Sequence, residues 1–71
     1  MADTTGTKDA TYNLVSVLYH ALQGADLYEQ YARDAGGDQD LATFFRDAQQ
    51  QQKQMADRAK QLLARRLQQS G

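Results

Sequence analysis

Gly36-Gly37-Asp38-Gln39-Asp40 is the stretch that decides the fold of this chain. Glycine readily adopts the left-handed backbone conformation that ends many helices, so the glycine pair predicts a helix C-terminus. Asp38 is a favourable N-cap residue, and Asp40 would then lie in the first helical turn, where the helix dipole favours a negative charge. Because so short a loop joins two helices, we expect them to lie antiparallel.

Apolar residues recur with helical period on both sides of this turn. We predict a first helix over residues 9–35, a turn over 36–38 and a second helix over 39–68. Residues 1–8 are small and polar, which predicts a disordered N-terminal tail. The chain contains no proline, so nothing breaks either helix.

Two features of the first helix have a structural interpretation. Thr7, Asp9 or Thr11 could cap its start. Gly24 lies in the middle of the helix, where glycine costs about 1 kcal/mol relative to alanine. We interpret Gly24 as a position of close helix approach.

Each helix carries an apolar stripe, and the second stripe is interrupted by an amide. The first consists of Val15, Leu18, Leu22, Ala25 and Ala32, widened by Leu14, Ala21 and Tyr28. The second consists of Leu41, Phe45, Ala48, Met55, Ala59 and Leu62, with Gln52 in its gap. Helix-bundle metalloproteins place their ligands at such core positions, but an amide suits iron or manganese less well than a carboxylate.

The chain has 71 residues, no cysteine and one histidine. It is short enough to need additional stabilisation, and disulfides and thiolate metal sites are excluded. A two-helix hairpin also leaves a wide apolar face open. We therefore predict an all-α fold in which an antiparallel two-helix hairpin dimerises into a four-helix bundle. The expected dimer core consists of Leu14, Leu18, Leu22, Phe45, Gln52, Met55 and Leu62.

Charge is distributed unevenly, with a net charge of −5 over residues 1–40 and +4 over residues 41–71. A separated basic half could indicate nucleic-acid binding. The alternative is an acidic helix beside a basic one, within the hairpin or across a dimer, and we favour it because the basic residues are spread around the helix. No signal peptide is recognised, and the longest weakly charged apolar run is too short and polar to span a bilayer. We expect a cytoplasmic protein with no nucleic-acid or membrane partner.

Two segments carry a family resemblance. Residues 12–25, Tyr-Asn-Leu-Val-Ser-Val-Leu-Tyr-His-Ala-Leu-Gln-Gly-Ala, resemble the first helix of small bacterial ferritin-like proteins. Residues 37–46, Gly-Asp-Gln-Asp-Leu-Ala-Thr-Phe-Phe-Arg, are similar to the turn and second-helix start of rubrerythrin-like domains. The resemblance covers about residues 11–65 and implies half of a ferritin-like bundle, completed by dimerisation.

The resemblance also implies where a metal site would lie. The family's di-iron site uses a glutamate from one helix and Glu-x-x-His from the next. Glu29, the only glutamate, matches the first-helix ligand, but Gln52-x-x-Met55 stands where the family has Glu-x-x-His. His20 is the other candidate ligand, although a lone histidine near an apolar face is more often packed or hydrogen-bonded.

Two hypotheses follow. In the first, the chain is a non-catalytic ferritin-like module with a structural or protein-interaction role, no cofactor, and most of the family's metal ligands lost. In the second, it is a minimal ferritin-like iron-binding or oxidoreductase protein. Its metal would be held by Glu29 and His20 across the dimer. We favour the first.

Overall fold

The computed structural model describes residues 9–70, which form two helices that pack against each other. Helix α1 spans Ala10–Asp34 and helix α2 spans Gln39–Ser70, where the sequence predicted 9–35 and 39–68. The described residues contain no strand, so the predicted all-helical hairpin is confirmed. The prediction of a disordered tail over residues 1–8 lies outside the described residues.

Aspartates fix the starts of both helices. Asp9 is the N-cap of α1, and its Oδ1 accepts hydrogen bonds from the backbone nitrogens of Thr11 at 3.0 Å and Tyr12 at 3.2 Å. Asp38 caps α2 in the same way, accepting at 3.0 Å from the backbone nitrogen three residues on. Between them, Gly36 has φ +62°, the left-handed conformation expected after the end of α1.

Contacts between the helices run in opposite order along α1 and α2, as in an antiparallel pair. Near the open end of the hairpin, Arg66 Nε donates to Thr11 Oγ1 at 3.0 Å. Near the turn, the rings of Tyr31 and Phe45 lie 5.6 Å apart. The register is therefore held at both ends by side-chain contacts.

The buried part of the interface between α1 and α2 is made of alanine. The buried residues are Ala21, Ala25, Ala32, Ala42, Ala56 and Ala59, each 7% exposed or less. No large side chain is fully buried among the described residues. Methyl groups let two helices approach closely, but they remove little apolar surface from water. The hairpin therefore has a thin core of its own.

The structure corrects the predicted stripe of α2 at two positions, while Ala59 of that stripe is buried at 2% exposure. Ala42 and Ala56 are buried, whereas the predicted Leu41 and Met55 are 41% and 51% exposed. Leu41 and Met55 have the same spacing as Ala42 and Ala56, so periodicity cannot separate the two pairs, and hydrophobicity favours the larger side chains. At these two levels the small alanine side chains are the buried ones, and they let the two helices pack closely.

Candidate functional site

Three shallow grooves follow one another along one side of the hairpin. Their volumes are about 400, 360 and 230 Å³ from the open end to the turn. Val17 lines two of them, so the first two grooves are neighbours. We call this side the apolar face, and it includes Leu14, Val17, Tyr28, Tyr31, Leu41, Phe45, Met55 and Leu62.

Aromatic side chains concentrate at the turn end of the apolar face. The ring of Tyr31 lies 5.8 Å from that of Tyr28 and 5.6 Å from that of Phe45. Phe45 in turn meets Phe44 at 5.7 Å, edge to face. Phe44 is 64% exposed, so this chain of rings ends at the surface. Such exposed aromatic surface is typical of interaction sites.

Two glutamine side chains of α2 contact the backbone of α1 about halfway along the interface. The side-chain amide of Gln49 donates to the backbone carbonyl of Ala25 at 2.9 Å and so ties α2 to α1. Gln52 is half-buried and packs over Gly24, where an added methyl group would lie 3.5 Å from its Cγ and Cδ. Sequence reasoning selected Gln52 and missed Gln49. The available signal was the spacing of three residues between them, which leaves the two side chains about 60° apart around α2, so that one borders each side of the contact with α1.

Most of the predicted dimer-core residues lie together. Leu14, Phe45, Gln52, Met55 and Leu62 all line grooves of the apolar face. Leu18 is half-buried beside them. Leu22 is the exception. It lies seven residues before Glu29, so both face the other side of the contact between α1 and α2, where Glu29 lines a polar groove.

A polar groove of about 330 Å³ lies on that other side. We call it the basic groove, and it is lined by Glu29, Ala32, Arg33, Arg46, Gln49 and Lys53. Glu29 and Tyr31 are two residues apart, as are Lys53 and Met55. Each pair therefore diverges by about 200° around its helix. The apolar face and the basic groove consequently flank the helix–helix seam.

The two predicted metal ligands are separated by this seam. His20 lines the middle groove of the apolar face together with Gln52 and Met55, and its ring meets Tyr19 edge to face at 5.4 Å. Glu29 lines the basic groove and forms an ion pair with Arg33 at 3.0 Å. One chain therefore does not bring His20 and Glu29 together.

Within residues 9–70, no cluster of three or more His, Cys, Asp or Glu side chains could hold a metal ion. The surroundings of Glu29 also disfavour a cation, because Arg33, Arg46 and Lys53 share its groove. The basic groove is therefore electrostatically suited to an anion.

The described residues contain no helix with the length and apolar character needed to cross a membrane. Comparisons with protein-family models, curated proteins and solved structures found no match.

Proposed function

We propose that this chain is a non-catalytic interaction module whose apolar face packs against a second copy. Two hairpins stacked in this way form a four-helix bundle of the ferritin-like type. One observation carries the proposal: alanines fill the interface within the hairpin, while large apolar side chains lie outside it. Val17, Met55 and Phe44 are 43%, 51% and 64% exposed.

The size of the apolar face suits a dimer. Helix α1 has 25 residues and is therefore roughly 37 Å long. Two helices side by side are roughly 20 Å wide, which gives a face of roughly 700 Å². A stable interface buries about 800 Å² on each partner. The area of the face is close to this value, so one further hairpin would be enough to cover it. This burial supplements the thin alanine core.

Charge and aromatic placement favour a second copy with its turn at the same end. Helix α1 contains three acidic and one basic residue, whereas α2 contains three acidic and six basic residues. A twofold axis parallel to the helices places α1 of each copy over α2 of the other, so helices of opposite net charge face each other. The same axis brings the two aromatic clusters together, including the exposed Phe44. Turns at opposite ends would place that ring near the basic end of α2.

Assembly is tested by light scattering on the size-exclusion peak of three proteins. The wild-type chain is expected at twice its mass of 8.0 kDa. Met55→Glu would bury a carboxylate in the apolar interface, and an unpaired buried charge should weaken association by at least about 100-fold. Tyr19→Glu is the matched control, because Tyr19 is 62% exposed and lies off the apolar face. A monomeric wild type, or equal effects of the two variants, would contradict the proposal.

Cross-linking tests the arrangement, since the chain has no native cysteine. Val17 and Met55 line the same groove, so they lie at the same level of the hairpin. With turns at the same end, a mixture of Val17→Cys and Met55→Cys chains is expected to form a mixed disulfide dimer. With turns at opposite ends and the twofold axis crossing α1 at Gly24, Val17→Cys would instead pair with Tyr31→Cys, since both lie seven residues from Gly24. Each single variant oxidised alone is the control.

The non-catalytic part of the proposal has its own test. Metal content is measured on the size-exclusion peak after anaerobic Fe(II) loading and removal of excess iron. A stoichiometric, oxygen-reactive iron site that is lost in Glu29→Ala would overturn the proposal in favour of a minimal iron protein. The expected compartment is the cytoplasm, and this part of the proposal is checked by fractionating cells that express the chain.

A further inference from the structure

The basic groove contains positive charge that the packing of the hairpin does not use. Arg33 is engaged within α1, donating to Glu29 at 3.0 Å and to Gln30 at 3.1 Å. Arg46 and Lys53 form no hydrogen bond or ion pair with any other residue of the described range 9–70. Two cations without a partner among residues 9–70 therefore border a groove that also contains Arg33.

The geometry of the groove is that of a small site rather than a flat surface. Arg46 and Lys53 are seven residues apart on α2, so they lie on one side of that helix with about 10 Å of axial rise between them. Arg33 approaches from α1, across the seam. Ala32 is 5% exposed and contributes only a methyl group, which leaves space between the longer side chains. The volume of about 330 Å³ lies at the lower end of the range of small-molecule sites.

We propose that the basic groove binds a small anion that carries two or more linked phosphate groups. Arginine matches phosphate oxygens with its planar fork of donors, and lysine adds a mobile point charge. Donors that arrive from two helices suit the oxygens of a phosphate chain, which are distributed around each phosphorus. The separation of Arg46 and Lys53 along α2 suits a chain of phosphates rather than a single one.

Glu29 has a defined part in this site. Its carboxylate holds Arg33 and lowers the net charge of the lining from +3 to +2. It would repel a bound polyanion while positioning one of the cations. Glu29→Gln removes the negative charge and keeps a hydrogen-bond acceptor for Arg33, so this variant should bind a phosphate chain more tightly. A metal site at Glu29 would respond in the opposite direction.

The test is isothermal titration calorimetry of the full chain with sodium tripolyphosphate at low ionic strength. Citrate, whose charges are carboxylates, is titrated separately as the comparison ligand. Arg46→Gln and Lys53→Gln should each weaken tripolyphosphate binding by about tenfold, the scale of one hydrogen bond to a charged group. Glu29→Gln should strengthen it several-fold. Lys60→Gln is the matched control, because Lys60 continues the same row seven residues beyond Lys53 but does not line the groove. Its effect should stay below about twofold.

Three results would overturn the proposal. Equal losses of tripolyphosphate affinity in Lys60→Gln and Lys53→Gln would show that the anion is attracted to the overall charge of α2 rather than bound at a site. Citrate binding as tight as tripolyphosphate binding would contradict the phosphate class. Weaker binding in Glu29→Gln would contradict the charge argument. The test is independent of the proposed dimer, because Lys53→Gln alters the side of the seam away from the apolar face and should leave the assembled mass unchanged.

Discussion

The two glycines of the hairpin should respond to alanine substitution with opposite signs. Gly24 lies inside α1, where alanine is favoured over glycine by about 1 kcal/mol. A Cβ at this position would lie 3.5 Å from Cγ and Cδ of Gln52, which is an ordinary van der Waals distance. No steric loss opposes the gain in helix propensity. Gly24→Ala should therefore raise the free energy of unfolding by about 1 kcal/mol.

Gly36→Ala is the paired variant. Gly36 has φ +62°, and an L-residue in the left-handed region costs about 1–2 kcal/mol. No heavy atom lies within 4 Å of the position that a Cβ would occupy, so no contact compensates. The free energy of unfolding should fall by about 1 kcal/mol. The contrast matters because both variants make the same chemical change.

Urea unfolding followed by far-ultraviolet circular dichroism measures both variants, at a low and a high protein concentration because dimer stability depends on concentration. The reasoning would be refuted if Gly24→Ala lowered stability at low concentration, since Gln52 would then not accommodate the methyl group. A loss only at high concentration would show that the partner copy uses the space above Gly24.

Three further substitutions test how the hairpin is held. Ala56→Leu should lower the free energy of urea unfolding by about 1–3 kcal/mol, because Ala56 is 1% exposed and overpacking separates the helices; an unchanged value would contradict close helix approach. Gln49→Ala should lower it by about 1 kcal/mol through loss of the bond to Ala25, whose carbonyl stays bonded within α1. Asp38→Ala should lower the midpoint temperature of thermal unfolding through loss of a cap worth about 1 kcal/mol. Asp38→Asn keeps an acceptor and should therefore retain most of this stabilisation.

Local chemistry made the hairpin predictable. Asp38 and Gly36 act on backbone groups within a few residues of themselves, so their effects follow from their own conformational preferences. Candidate caps were also read from the sequence, and Asp9 among them accepts hydrogen bonds from the first turn of α1, while Thr7 lies outside the described residues. The helical period required no knowledge of the partner helix.

The candidate sites were predictable only in part. The residues of the apolar face were recognised as surplus hydrophobic surface, with Met55 and Phe45 among them. The ion pair of Glu29 with Arg33 follows a spacing of four residues and could have been read from the sequence. The basic groove could not, because it combines Arg33 of α1 with Arg46 and Lys53 of α2.

The sequence by itself determined two helices, their caps and an antiparallel turn, because these depend on interactions between near neighbours in the chain. Tertiary structure alone decided which of two adjacent residues of α2 lies inside at two levels of the hairpin. Ala42 and Ala56 are buried there and Leu41 and Met55 are exposed, since small side chains let the two helices pack closely. The spacing of nine residues between His20 and Glu29 already places them on opposite sides of α1. The packing of α2 against α1 then makes one of these sides an apolar face and the other a basic groove.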